Sequence, residues 1–236
     1  MLILLCLLLA LPAAAEEEPL RFVIRHGSRE SKRIAITVDD FFDLNEARLI
    51  FDLAQQYKIP MTFFPLGQRI LAEDADFWQQ VAASNCEIGS HTYYHVSMAG
   101  IPARALLASL TKTQEKLDAV LGYHYPIPHV RPPFGKVDRE GHAAIKSGII
   151  RTMKQLGYEH VINWDVSQTD PKLAIKQVRG GSILLYHTRA KDRKCLETLI
   201  PQLLEAGFEP VTVSTLLGMD AVATSTDLPA TATNLP

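Results

Sequence analysis

Two histidines, His91 and His95, lie four positions apart in the sequence. At this spacing both imidazoles lie on one side of a single helical turn and can reach one metal ion. Upstream, an apolar strand ends in two adjacent carboxylates, Asp39 and Asp40. One carboxylate and two imidazoles leave coordination positions open for water and substrate, which is typical of catalytic zinc. We therefore predict a metal site, against the alternative of surface or capping histidines beside an acidic turn.

Such a site would give chemical roles to the titratable residues beside it. One aspartate of the Asp39–Asp40 pair would bind the metal while its neighbour takes a proton from water. His187 ends the apolar run 183–186. It is either a buried core histidine or, next to a metal, the acid that protonates a leaving group. Asp170 is a candidate for holding the His187 ring in its charged form.

A short segment with two prolines, residues 131–135, carries one cation at Arg131. The segment is either a proline-rich turn with a solvated arginine or a functional loop. In the functional interpretation, Arg131 holds Asp39 in its ionised form. Backbone N–H groups near Phe134 then face the oxyanion that develops during hydrolysis.

Strand-like and helical segments alternate along the chain. Apolar spacing predicts strands over 33–38, 61–66, 86–89, 129–133, 158–163, 182–187 and 208–213, and helices over 45–57, 77–83, 102–121, 139–156, near 173 and over 194–205. Roughly seven β/α units without a linker predict one α/β domain whose parallel sheet closes, or nearly closes, into a barrel. Chemistry in such barrels lies at the C-terminal ends of strands. The candidate residues fall at or just after predicted strand ends: Asp39, Asp40, His91, Arg131, Asp165 and His187.

Composition and charge are those of an ordinary globular protein. The chain has 236 residues, of which 47% are hydrophobic and 21% charged, with a net charge of −2. This length suits a single core. The charge gives no reason to expect nucleic acid or an anionic membrane as a partner.

The first residues predict export. Residues 1–11 are almost entirely apolar, and small residues and three glutamates follow. We interpret residues 1–15 as a signal peptide cleaved after Ala15, with a retained anchor as the alternative. The mature protein would be secreted or periplasmic, without stable membrane insertion. Residues 16–32 then form an N-terminal segment, 33–216 the domain, and 217–236 a disordered tail. The two remaining cysteines, Cys86 and Cys195, either pair or stay apart.

Taken together, the chemical segments resemble the five motifs of the polysaccharide deacetylase family, also called the NodB homology domain or carbohydrate esterase family 4. The matching segments are Thr37-Val38-Asp39-Asp40, His91-Thr92-Tyr93-Tyr94-His95, Arg131-Pro132-Pro133-Phe134-Gly135, Trp164-Asp165-Val166 with Asp170, and Leu185-Tyr186-His187. The resemblance runs from about residue 33 to residue 213 and implies a distorted (β/α)7-type barrel that hydrolyses N-acetyl or O-acetyl groups on glycans.

The resemblance also implies a role for each reacting residue. By it, Asp39 is the base and His187 the acid. The metal, Zn²⁺ or another divalent cation such as Co²⁺, Mn²⁺ or Ni²⁺, is bound by Asp40, His91 and His95. An acetylated glycan is the implied partner.

The supporting residues follow from the same resemblance. Arg131 is assigned to tethering Asp39, and Asp170 to tethering His187. The pocket for the acetyl methyl is assigned to Leu185, and substrate binding as a whole to Pro133, Phe134, Trp164 and Leu185.

Three positions depart from the family pattern. Phe41-Phe42-Asp43 stand where the family usually has Gly-Pro, Pro171 replaces an aromatic residue, and Thr188 replaces an aspartate. We therefore expect a different loop over the metal and a different groove. Peptidoglycan, chitin oligomers, poly-N-acetylglucosamine and acetylated xylan all remain candidate substrates, with a bacterial envelope glycan favoured. The alternatives are an inactive glycan-binding protein on the same fold and a small-molecule amidase.

Overall fold

The computed structural model describes residues 22–137 and 147–219. The strands are β1 Val23–Ile24, β2 Arg33–Asp40, β3 Thr62–Pro65, β4 Glu87–Ile88, β5 His129–Val130, β6 His160–Ile162, β7 Ile183–His187 and β8 Glu209–Pro210. The α-helices are α1 Leu44–Tyr57, α2 Ala75–Ala83, α3 Ala103–Leu121, α4 Ser147–Gln155, α5 Pro171–Gln177, α6 Ala190–Glu205 and α7 Val213–Leu216. Short 3₁₀ helices cover Gly67–Arg69, Ala72–Asp74 and Pro133–Gly135.

The strands form two parallel sheets. The larger has five strands, with β2 between β3 and β7, β4 beside β3, and β8 paired with the start of β2. The smaller has the order β1-β6-β5. Two single parallel bridges link the sheets. One joins Ser90, just after β4, to Val130 of β5, and the other joins Val166, after β6, to Leu184 of β7. The α/β class is confirmed. Closure into a barrel stays a prediction, which the two bridges support.

Alternation along β2 determines where its carboxylate points. The strand is buried from Ile34 to its end, as expected of a parallel strand covered on both faces. Its even-numbered apolar residues belong to the large core with the helices. Ala35 belongs instead to a smaller cluster inside the sheets, with Phe64, Ile162 and Ile183. Asp39 lies on the same face as Ala35, at the C-terminal end of the strand.

Helix ends follow recognisable capping chemistry. The Asp43 carboxylate accepts a hydrogen bond from the Glu46 N–H and begins α1. Gly122 ends α3 with a φ of 80°, a left-handed conformation that glycine adopts without a Cβ clash. The strand predicted over 208–213 is shorter than expected, because Thr212 caps α7 by accepting from the Thr215 N–H.

Several expectations concern residues near or beyond the described ranges. The signal peptide, the start of the helix predicted over 139–156 and most of the tail lie outside them. Within the N-terminal segment, β1 pairs with β6. Cys86 and Cys195 are both buried and free. No helix in the described part of the chain is both long and apolar enough to span a bilayer.

Candidate active site

Asp39 and Asp40 end β2 at the point where the strand alternation breaks. Asp40 has a φ of 77° and Phe41 a φ of 68°, both left-handed. Both carboxylates are buried and both approach the same imidazole. Asp40 Oδ1 lies 3.3 Å from His91 Nε2, and Asp39 Oδ2 lies 3.9 Å from it. Neighbouring strand residues thus meet at one site because the backbone turns between them.

Asp40, His91 and His95 form a compact three-residue cluster. Asp40 Oδ1 also lies 3.4 Å from His95 Nε2, and one ligand atom from each residue lies within 4.8 Å of the others. Ligands about 2.0–2.1 Å from a tetrahedral ion are separated by roughly 3.3–3.4 Å. The two oxygen–nitrogen separations have this spacing.

The histidines converge through a loop, so the helical turn expected between them is wrong. Thr92 has a φ of 65° and His95 a φ of 58°. The carbonyls of Thr92 and Tyr93 accept hydrogen bonds from the N–H groups of Gly67 and Gln68. The loop backbone is therefore satisfied by the neighbouring 3₁₀ helix, and two left-handed residues supply the reversal.

Hydrogen bonding shows that the cluster fits a cation. His91 Nδ1 lies 2.7 Å from the Arg131 carbonyl, which can only accept, so Nδ1 carries a proton and Nε2 faces Asp40. Asp40 Oδ1 is buried without a hydrogen-bond partner. Burial raises the pKa of Asp40, but the imidazoles of His91, His187 and His95 lower it by more, so the carboxylate is ionised. A buried, ionised carboxylate oxygen in this state requires a positive charge beside it.

The His95 imidazole is suited to ligation at neutral pH. Burial lowers the pKa of His95, and the neighbouring His91 lowers it further. A neutral imidazole has the free nitrogen lone pair that a metal needs. The donor set therefore fits a divalent ion such as Zn²⁺.

Arg131 holds Asp39. The Nη1 group donates to Oδ1 at 3.0 Å and to Oδ2 at 3.1 Å, and the arginine side chain is 0% exposed. Nε donates to the Ile162 carbonyl at 2.6 Å, and Nη2 to Thr37 Oγ1 at 2.9 Å. Burial lowers the pKa of Arg131, and the Asp39 carboxylate opposes this. The predicted tether between Arg131 and Asp39 is present in the structure.

His187 lies beside Asp39 on the adjacent strand. In the β2–β7 register, His187 is the partner of Asp39. Asp170 instead accepts from the Lys172 N–H at 2.8 Å as the N-cap of α5, and it forms no ion pair with His187. Its position before Pro171, at the start of a helix, commits the carboxylate to capping. The carboxylate within ion-pair distance of His187 is instead that of Asp192, with Oδ1 at 3.8 Å from Nδ1, and the tethering role of Asp170 stays a prediction.

The predicted substrate residues lie around these groups. Pro133 and Leu185 are buried, and Trp164 is half-buried with its ring centroid 5.5 Å from the Arg131 guanidinium. Phe134 is exposed and packs edge-on against the His95 ring at 4.5 Å. A side chain at Gly135 would come within 2.9 Å of the Trp164 ring, so this close approach requires glycine.

Asp165 has a structural role. Its carboxylate pairs with Arg29 at 2.8 Å and accepts from the Ser182 hydroxyl and the Ile183 N–H. These bonds tie the N-terminal segment to the start of β7. The strand-end position that suggested a chemical role for Asp165 is thus explained by packing.

The sequence reasoning missed two features of the site. One is Asp192, because α6 begins at Ala190, four residues before the predicted start of that helix. The other is the exposed ring of Phe42, which together with the predicted Phe134 flanks the His95 ring. Phe42 lies edge-on to His95 at 6.4 Å, and Tyr94 belongs to the histidine loop. Aromatic residues within the motifs were the available signal.

Comparison with known proteins determines the family. Residues 26–161 match the family model for polysaccharide deacetylase. The chain belongs to the polysaccharide deacetylase family.

Relatives of this deacetylase-family chain include proteins named as a deacetylase, an esterase and a pseudoenzyme. It is 30% identical over 220 residues to a peptidoglycan-N-acetylglucosamine deacetylase of Bacillus cereus, covering 86% of this chain and 96% of the relative. Its fold matches a carbohydrate esterase family 4 pseudoenzyme from Bacillus anthracis, with a TM-score of 0.72, 20% identity, and coverage of 87% and 72% of the two chains. It also matches a family 4 acetyl xylan esterase from Clostridium thermocellum in complex with cobalt, with a TM-score of 0.65, 22% identity, and coverage of 78% and 89%.

Proposed function

We propose that this polysaccharide deacetylase is a secreted, metal-dependent hydrolase that removes acetyl groups, primarily N-acetyl groups, from a bacterial envelope glycan such as peptidoglycan. One observation carries the proposal. The buried Arg131–Asp39 pair lies against the Asp40–His91–His95 cluster, with Asp39 Oδ2 3.9 Å from His91 Nε2. A base, a ligand set and, on the adjacent strand, an acid are thus all retained.

The residues that would hold the cation are Asp40, His91 and His95. When bound, a divalent ion supplies Lewis-acid polarisation of the acetyl carbonyl and lowers the pKa of water. Two nitrogens and one oxygen suit Zn²⁺, and Co²⁺, Mn²⁺ and Ni²⁺ accept the same donors. The cobalt ion in the acetyl xylan esterase supports a transition metal in this chain.

The chain's own residues then divide the proton transfers. Asp39 accepts the proton of the attacking water, and Arg131 fixes the direction of its carboxylate. The Phe134 N–H stabilises the carbonyl oxygen as it gains charge, because the N–H groups of Gly135 and Lys136 donate to the carbonyls of Pro132 and Pro133. His187, on the strand beside Asp39, protonates the sugar nitrogen as the carbon–nitrogen bond breaks.

Exposed aromatic rings support a sugar polymer as the substrate. Phe42 and Phe134 present exposed aromatic faces or edges beside His95, and sugar rings bury their apolar faces on such groups. The name of the Bacillus cereus relative gives N-acetylglucosamine of peptidoglycan as its substrate. The apolar residues 1–11 support export to the envelope where that polymer lies.

An acetate-release assay tests the proposal. Purified protein is incubated with peptidoglycan, chitin oligomers, poly-N-acetylglucosamine and acetylated xylan, with added Zn²⁺ or Co²⁺ and with a chelator. We expect acetate from at least one polymer, loss of release with the chelator, and recovery with the metal. Glycan binding without acetate would instead establish a binding protein, and release from small N-acetyl compounds alone would establish an amidase.

A further inference from the structure

Asp192 is a buried carboxylate that is only partly satisfied. It lies in the first turn of α6 and its side chain is 1% exposed. Oδ1 accepts a hydrogen bond from the His187 backbone N–H at 3.3 Å. Oδ2 is buried without a hydrogen-bond partner. A buried carboxylate oxygen in this state is costly unless a cation compensates it.

The groups around Asp192 include one basic side chain. On β7 the neighbours are His187 and Tyr186, and on α6 the neighbour is Cys195. Burial raises the pKa values of Tyr186 and Cys195, so both groups are neutral. The carboxylate of Asp170 on α5 has the wrong sign. Among the described residues, the only basic side chain in an ion pair with Asp192 is His187.

The pairing fixes which imidazole nitrogen is available. Nδ1 of His187 faces Asp192 Oδ1 at 3.8 Å, a separation that a small ring rotation converts into a hydrogen bond. A proton on Nδ1 directed at the carboxylate leaves Nε2–H as the group that can reach a substrate. Asp192 is also anchored to the backbone of His187 itself, so the carboxylate and the ring move together.

We propose that Asp192, not Asp170, is the residue that positions the His187 imidazole for the deacetylation proposed above. In this step Nε2–H gives its proton to the sugar nitrogen as the carbon–nitrogen bond breaks. The bonding pair stays on nitrogen, His187 becomes neutral, and Asp192 retains its charge throughout. Asp192 touches no substrate atom, so it is a positioning residue.

The kinetic test uses three carboxylate-to-amide variants. Asp192→Asn is expected to lower kcat on the acetylated glycan roughly a hundredfold, with KM and bound metal unchanged. Asp170→Asn tests the competing assignment and keeps the α5 cap, because asparagine caps helices as well as aspartate does. Glu197→Gln, on the same helix and paired with Arg193, is the matched control. Loss of kcat in Asp170→Asn with wild-type turnover in Asp192→Asn would overturn the proposal.

Leaving-group dependence separates positioning from a general structural defect. An activated aryl acetate releases a phenolate that needs no proton, so Asp192→Asn is expected to hydrolyse it within a few-fold of wild type. Equal losses on the glycan and on the aryl acetate would contradict a role through His187. Asp192→Glu, which restores the charge, is expected to recover part of the glycan activity.

An NMR measurement of the His187 ring provides a readout that does not depend on turnover. With ¹⁵N-labelled histidine, the ring signals of His187 are assigned by comparison with His187→Gln in zinc-containing protein. The Nδ1–H signal is expected to change in Asp192→Asn and to stay at its wild-type position in Asp170→Asn, because Nδ1 faces Asp192. If Asp192→Asn does not fold, Asp170→Asn still decides, because a changed Nδ1–H signal in that variant overturns the proposal. Absence of acetate release from wild type would instead remove the proposed function and leave the pairing testable.

Discussion

Arg131 and Asp39 form a buried ion pair that joins the ends of β5 and β2. The guanidinium is held by the Ile162 carbonyl and the Thr37 hydroxyl as well, so its donors are directed at fixed acceptors. The backbone N–H of Arg131 donates to the Ser90 carbonyl at 2.8 Å, which links Arg131 to the segment that leads to His91. The orientation of the proposed base, Asp39, and of one proposed metal ligand, His91, therefore depends on a single residue.

Removal of Arg131 is expected to be strongly destabilising. Arg131→Met leaves the Asp39 carboxylate buried without its partner, which costs about 3–5 kcal/mol of the free energy of unfolding. Urea denaturation measures this change. Arg48→Met is the matched control, because Arg48 forms a two-bond pair with Asp76 on the surface and its loss is expected to have a much smaller effect. Equal losses in the two variants would contradict the importance of burial.

Asp39→Asn is expected to abolish most acetate release while leaving the metal bound. The amide cannot accept the proton of water, so we expect a fall in kcat of roughly 10²–10⁴-fold. Metal analysis should give wild-type stoichiometry, because the three predicted ligands are intact. Asp43→Asn, at the exposed start of α1, serves as the control. Turnover near wild type with bound metal would show that another group is the base.

Divalent ions are expected to stabilise the folded chain through the histidine loop. Zn²⁺ or Co²⁺ at about 100 times its Kd should add about 2.7 kcal/mol to the free energy of unfolding, seen as a higher Tm. His95→Ala should lose this increment. His124→Ala should retain it, because His124 lies on the surface beside Asp118. An unchanged increment in His95→Ala would place the ion elsewhere.

A buried histidine below the site predicts acid sensitivity. Burial, and secondarily the neighbouring His160, lowers the pKa of His129 to about 3. Nε2 of His129 forms a hydrogen bond with Ser214 Oγ. Because the unfolded chain takes up the proton from about pH 6.5 downward, folding stability falls as pH drops toward the folded pKa, by about 1.4 kcal/mol per pH unit. Burial raises the pKa of the adjacent Glu87, which contributes with the opposite sign.

The His129 contribution is isolated by difference. Urea denaturation of wild type and His129→Gln between pH 7 and pH 4 should show the stability advantage of wild type shrinking as pH falls. His124→Gln, whose ring is exposed, should give a difference from wild type with far weaker pH dependence. A wild-type advantage over His129→Gln that is constant with pH would mean that His129 titrates normally in the folded protein.

Most of the site was predictable because strand ends are local in sequence. Apolar periodicity placed β2 and β7, and parallel pairing then brought Asp39 and His187 into register. Charge and the rigid loop made the Arg131–Asp39 contact one of two interpretations, and the family resemblance favoured it. The strand positions depend on residue type and apolar spacing, which a single sequence contains.

The missed parts depend on backbone turns and helix starts. The His91–His95 spacing suggested a helix. Hydrogen bonds to the 3₁₀ helix Gly67–Arg69, which is remote in sequence but adjacent in space, stabilise a loop instead. Asp170 and Asp192 are both carboxylates near helix N-termini, and only tertiary packing shows that one caps α5 while the other reaches His187. Sequence spacing does not distinguish these two uses of aspartate.

The left-handed backbone around the cluster has an evolutionary consequence. Among the described residues, six non-glycine positions have positive φ, and all but Lys58, which ends α1, surround the site: Asp40, Phe41, Thr92, His95 and Phe134. Each such conformation costs on the order of 1–3 kcal/mol, and strain of this kind clusters at functional sites. Under the proposed function, a descendant that had lost hydrolysis would gain heat resistance by acquiring glycine or asparagine at these positions. Substitution of these five residues before substitution of core residues would therefore mark a lineage in which catalysis had been lost.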